Sequence, residues 1–71
     1  MDSQEFKDLK AKANQGDAEA QYNLGKAYNN GEGVQQDFEK GVYWLEQAAN
    51  QEVAEAQNDL GFAYYIGRGI T

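Results

Sequence analysis

The groups on this chain that could do chemistry are carboxylates and phenols: it has 12 Asp and Glu and five Tyr, with no Cys and no His. Paired carboxylates can exchange protons or hold a divalent cation, so their spacing comes first. Glu19 and Glu55 each fall in the first turn of an expected helix, where the positive end of the helix dipole favours a negative charge and accounts for them without chemistry. Asp59 has no second carboxylate at ligand spacing. The hydroxyl nucleophiles are Ser3 and Thr71, one near each end of the sequence, and no imidazole stands by to activate either. Without Cys or His, the usual zinc and haem ligand sets are missing too. The pair Gly31-x-Gly33 lacks the strand, the further Gly and the Lys of a phosphate-cradling loop. The residues therefore predict a protein that is not an enzyme, with no cofactor and no metal.

The elements that carry these side chains follow from an internal repeat. Residues 18–34, AEAQYNLGKAYNNGEGV, return as residues 54–70, AEAQNDLGFAYYIGRGI, an offset of 36 from Ala18 to Ala54 with ten of the 17 pairs identical. The same offset joins Leu9 to Leu45, Ala13 to Ala49, Asn14 to Asn50 and Gln15 to Gln51. Within each unit the apolar residues recur at helical spacing, as Ala20, Leu24, Ala27 and Tyr28 do. This predicts a first A helix over 17–30, with Asp17 as its N-cap and Gly31 ending it. A B helix starts at Asp37 and carries Phe38, Val42, Leu45 and Ala49 in one stripe, widened by Gly41, Trp44 and Ala48. A second A helix covers 53–66, and a leading helix 3–14 has a narrow stripe of Phe6, Leu9 and Ala13. Mid-helix Gly25 and Gly61 occupy one repeat position, which predicts close approach of a neighbouring backbone at both; Gly41 is either a third such site or a weak point. Tyr28, Tyr64 and Trp44, at repeat-defining positions, are expected to wedge between helices, Tyr43 is expected to be exposed, and Tyr22 is ambiguous.

The string Ala-Glu-Ala-Gln-x-x-Leu-Gly-x-Ala-Tyr-x-x-Gly-x-Gly-Val, followed by Asp37, Phe38, Lys40, Trp44, Leu45, Ala48 and Ala49, resembles the Sel-one-like repeat (SLR) family, relatives of tetratricopeptide repeats. The resemblance covers nearly the whole chain. It departs from the family pattern where Gly41 replaces the usual Ala, and where Glu52-Val53 replaces the Gly16-Asp17 that opens the first A helix. What it implies is an all-α fold, a short α-solenoid of antiparallel helix pairs whose A helices line a concave surface, in proteins that serve as adaptors or scaffolds, often in bacteria. The expected organisation is one domain over 1–71: a capping helix at 3–14, a full repeat at 17–50 and an incomplete second repeat at 53–71, without a B helix of its own.

Candidate binding residues are those that break the repeat's core pattern. Lys26, Asn29 and Asn30 lie opposite the core stripe of the first A helix, a side expected to be wet. At the matching positions the second A helix carries Phe62, Tyr65 and Ile66, so it is apolar on nearly every side and something should cover it. One reading makes Phe62, Tyr65 and Ile66 the floor of a peptide-binding groove with Lys26 and Asn29 as polar neighbours. The other packs a further helix or a second copy there, and a homodimer through this helix is expected from its apolar residues, Ile70 included. The function these features predict is a protein–protein interaction or adaptor module. A small acidic inhibitor or mimic acting on a basic protein is the alternative, as is a fragment of a longer repeat scaffold. The formal charge of −6 and pI near 4.3 supply no basic stripe for phosphates, so nucleic acid is excluded as a partner. No run of apolar residues reaches the roughly 18 needed to cross a membrane. A basic, then apolar, leader is also missing from the first residues, which points to the cytoplasm.

Overall fold

Residues 4–67 are described by the structure, a computed structural model, as four helices joined by short turns. These are α1 (Gln4–Asn14), α2 (Ala18–Asn30), α3 (Phe38–Asn50) and α4 (Ala54–Ile66). Each helix packs on the next in sequence, the widest interface being that between α2 and α3. The result is the expected all-α array of antiparallel pairs. Asp17 caps α2 by accepting the Ala20 N–H at 2.8 Å, and Asp37 caps α3 by accepting the Lys40 N–H at 3.1 Å. Gly31 ends α2 at φ 71° and Gly67 ends α4 at φ 75°, both in the left-handed region where a side chain is disfavoured. The first three residues of the sequence, and Ile70, lie outside the described residues.

The core forms where the repeated stripes meet. Phe6, Ala13, Ala20, Leu24, Ala27 and Tyr28 make one cluster, with Leu9, Val34 and Trp44 packed against it. The Phe6 and Tyr28 rings meet edge to face, 5.5 Å between centroids. Leu45, Ala48 and Ala56 form a second cluster, which Tyr22, Ala49, Val53 and Leu60 partly cover. The charged residues of α1, Glu5, Lys7, Asp8, Lys10 and Lys12, all face solvent.

Glycines set the distance between α2 and α3. A Cβ at Gly25 would lie 2.9 Å from Leu45 Cγ and 3.0 Å from the Gly41 carbonyl oxygen. A Cβ at Gly41 would lie 3.1 Å from the Gly25 carbonyl oxygen and 2.7 Å from Asn29 Cγ. The two helices thus cross glycine against glycine, so Gly41 is a close-approach site like Gly25. Gly61 is not: nothing lies within 4 Å of the position its Cβ would take. The residue repeats while its neighbour does not, because among the described residues no helix packs on that side of α4.

The same asymmetry corrects Tyr64. Its repeat mate Tyr28 is 4% exposed, whereas Tyr64 is 46% exposed and is no wedge. Its hydroxyl instead reaches back to α3 and donates to Glu46 Oε2 at 2.7 Å. Leu60 is likewise only partly buried, although its mate Leu24 is fully enclosed. Trp44 is half-buried, its ring edge-on to that of Tyr43, which is exposed as its position off the stripe predicts.

Candidate functional site

The two A helices, α2 and α4, lie on one side of the array, and a cleft of about 180 Å³ runs between their C-terminal halves. Lys26, Asn29 and Asn30 of α2 line it, with Asp59, Phe62 and Ala63 of α4. Nearer the helix N-termini a second, shallower depression of about 400 Å³ is lined by Ala18, Glu19, Tyr22, Asn23, Val53 and Glu55. Helical spacing explains the arrangement. The residues of each A helix that turn away from the core, one turn apart, meet their counterparts across the gap.

Three of the five candidate residues, Lys26, Asn29 and Phe62, thus share one cleft. Tyr65 and Ile66, one turn beyond Phe62 on the same side of α4, are not among the residues that line it; Tyr65 is 87% exposed and Ile66 42% exposed. Phe62 is 59% exposed, a large apolar ring held open to water. Asn29 departs from the wet position expected of it. It is half-buried, with its Oδ1 enclosed and given no hydrogen-bond partner. The reason lies on α3, where Gly41 leaves room that the Asn29 side chain fills.

Two residues join the site that sequence reasoning left out or undecided. Asp59 lines the cleft, with its carboxylate near the Tyr22 hydroxyl. Burial, then the Asp59 carboxylate, pushes that hydroxyl above the usual tyrosine range, with a further push from Glu55. Lys26 Nζ sits over the Tyr22 ring, 5.2 Å from its centroid, so Tyr22 bridges the cation of one helix and the anion of the other. The substitution of Asn23 by Asp59 between repeats was the visible signal for Asp59. Around the cleft and the depression beside it stand three carboxylates, Glu19, Glu55 and Asp59, and one ammonium, Lys26. Among the described residues no group of three or more carboxylates converges as metal ligands would, and no helix is long and apolar enough to cross a membrane.

Four antiparallel helices, each packed on the next in sequence, with a shallow cleft between the two A helices, have the architecture of a helical-repeat array. The Sel1 repeat family model matches residues 18–53 and 54–71. The chain belongs to the Sel1 repeat family. It is similar to the protective antigen c5321 of uropathogenic Escherichia coli strains, which displays an SLR fold, at 42% identity and a TM-score of 0.85 over 87% of this chain and 13% of that one. It is also similar to a Sel1 repeat protein from Oxalobacter formigenes, at 38% identity and a TM-score of 0.82 over 97% of this chain and 52% of that one. A search of curated proteins gave no match. The chain thus spans 13% and 52% of the length of these two solved relatives. Sel1 repeat proteins are generally protein–protein interaction modules and typically non-catalytic scaffolds.

Proposed function

We propose that this chain is a non-catalytic adaptor module that holds a peptide segment of a partner protein in the cleft between α2 and α4. The observation that carries this reading is Phe62, an aromatic side chain left mostly in water at the floor of a cleft edged by Lys26, Asn29 and Asp59. Covering a ring of that size is worth about 1.5 to 3 kcal/mol, a strong incentive for an apolar side chain to dock. Glu19, Glu55 and Asp59 around the same surface favour a basic residue beside that apolar one. Panning a displayed random heptapeptide library against the wild type and a Phe62→Ala variant tests the reading. Peptides enriched on the wild type should pair an apolar residue with Lys or Arg and lose binding to the variant. Enrichment indifferent to Phe62 would sink it.

A second reading, self-association of two copies through α4, is favoured by the exposure of Phe62, Tyr65 and Ile66 on one helix. Two-fold pairing would cover these residues on both copies and close the assembly, where head-to-tail stacking on the charged outer side of α1 would not.

A further inference from the structure

Gly41 and Asn29 meet where the helix crossing borders the cleft, and the α2 backbone is not the only neighbour that a side chain at position 41 would meet. Gly41 lies inside α3, where Ala would be the better helix former. Asn29 keeps an enclosed amide oxygen without a hydrogen-bond partner, which any apolar side chain would avoid. The two are coupled by space. A Cβ at position 41 would fall 2.7 Å from Asn29 Cγ, closer than such atoms come, so the Asn29 side chain keeps its place only while position 41 is Gly. On one side of that side chain is the α3 backbone, and on the other is the cleft that it lines with Lys26 and Phe62.

We infer that Gly41 is a positioning residue for the cleft: lacking a Cβ, it lets Asn29 fold against α3, which keeps the space beside Phe62 open for a peptide side chain. Helical residues have two common χ1 settings. An Asn29 displaced from α3 therefore swings toward the cleft and takes up the space that the ligand would use. Gly41 touches no ligand itself. Its effect passes through Asn29, so removing the Asn29 side chain should erase it.

This inference rests on the peptide-binding reading, and the test separates the two. The probe is a fluorescein-labelled heptapeptide selected on the wild type and dependent on Phe62, measured by anisotropy against four chains: wild type, Gly41→Ala, Asn29→Ala and the double variant. Gly41→Ala should keep its helical circular dichroism yet bind about tenfold or more weakly, a loss of about 1.4 kcal/mol. The double variant should regain most of that loss. A role confined to helix packing predicts instead that Gly41→Ala lowers the melting temperature while the chain that stays folded binds the peptide as the wild type does. If Gly41→Ala melts below the assay temperature, Asn29→Gln makes the same test, because its longer side chain does not fit over Gly41 and must enter the cleft; it too should lose binding. Unchanged binding by the folded Gly41→Ala or Asn29→Gln chain, or no recovery in the double variant, overturns the inference and leaves the peptide reading standing. Failure to select any Phe62-dependent peptide overturns both.

Discussion

At the scale of single residues, the two repeats differ most at the turn that leads into each A helix. Gly16 takes φ 96° before α2, and its counterpart Glu52 takes φ 66° before α4. Both turns close in the same way: Gly16 N–H reaches the Ala13 carbonyl at 3.0 Å, and Glu52 N–H reaches the Ala49 carbonyl at 2.9 Å. The backbone demand is thus conserved within the chain while the residue is not, and Glu52 carries a left-handed penalty of about 1 kcal/mol. Glu52→Gly should raise the melting temperature by roughly 4–8 °C, followed by circular dichroism. A lower midpoint would mean that the Glu52 side chain contributes more than its backbone costs. The phenols give a second prediction at this scale. Tyr22 is raised by burial and Asp59, and Tyr64 by its hydrogen bond to Glu46. A group whose pKa is higher folded than unfolded stabilises the fold fully below the unfolded value near 10, and that share is lost as pH rises through the folded value. Ultraviolet titration should show Tyr22 and Tyr64 ionising late, and Asp59→Asn should bring Tyr22 back toward the usual range.

At the scale of elements, equal sequence does not mean equal burial. Leu24 and Leu60 hold one repeat position, yet Leu24 is fully enclosed between α1, α2 and α3 while Leu60 is only partly covered. Leu24→Ala should cost about 2 to 5 kcal/mol, enough to unfold most of so small a chain. Leu60→Ala should cost less, about 1 to 2 kcal/mol, because its side chain is only partly covered. Chemical denaturation of the two variants checks this, and equal losses would show that α4 is covered in solution. One polar interaction does survive the repeat. Gln21 Nε2 donates to the Ala13 carbonyl at 3.1 Å, and Gln57 Nε2 donates to the Ala49 carbonyl at 3.3 Å. The recurring Gln is a clamp on the preceding helix end. In the first repeat Gln51 adds to it, donating to both Gln21 Oε1 and the Gly16 carbonyl.

At the scale of the whole molecule, the described residues present two unlike ends. The outer side of α1 is charged, whereas α4 exposes Phe62, Tyr64, Tyr65 and Ile66. Covering three such side chains is worth about 1.5 to 3 kcal/mol each, which is the basis for expecting two copies to pair. On the self-association reading, sedimentation across a concentration series should show a dimer that Phe62→Asp or Ile66→Asp disperses. A monomer throughout would leave the peptide cleft as the use of that surface, and a dimer indifferent to both substitutions would place the contact elsewhere.

The sequence by itself determined what depends on local spacing and on repetition. The four helices, the Asp17 and Asp37 caps, the Gly31 stop and the Leu24 and Leu45 core follow from a 36-residue offset laid on a helical period. That Lys26 and Phe62 lie off the core stripe was legible too, as places where the two copies differ. Tertiary structure alone decided what depends on a neighbour. Gly25 is filled against while Gly61 is open, and Tyr28 is buried while Tyr64 is half in water. Asn29 lies in α3's glycine gap, and the cleft that Phe62 lines ends short of Tyr65 and Ile66 one turn further along α4. Repetition copies a residue and its helix, but burial is a property of two surfaces, and the second surface is not written in the repeat that shows the first.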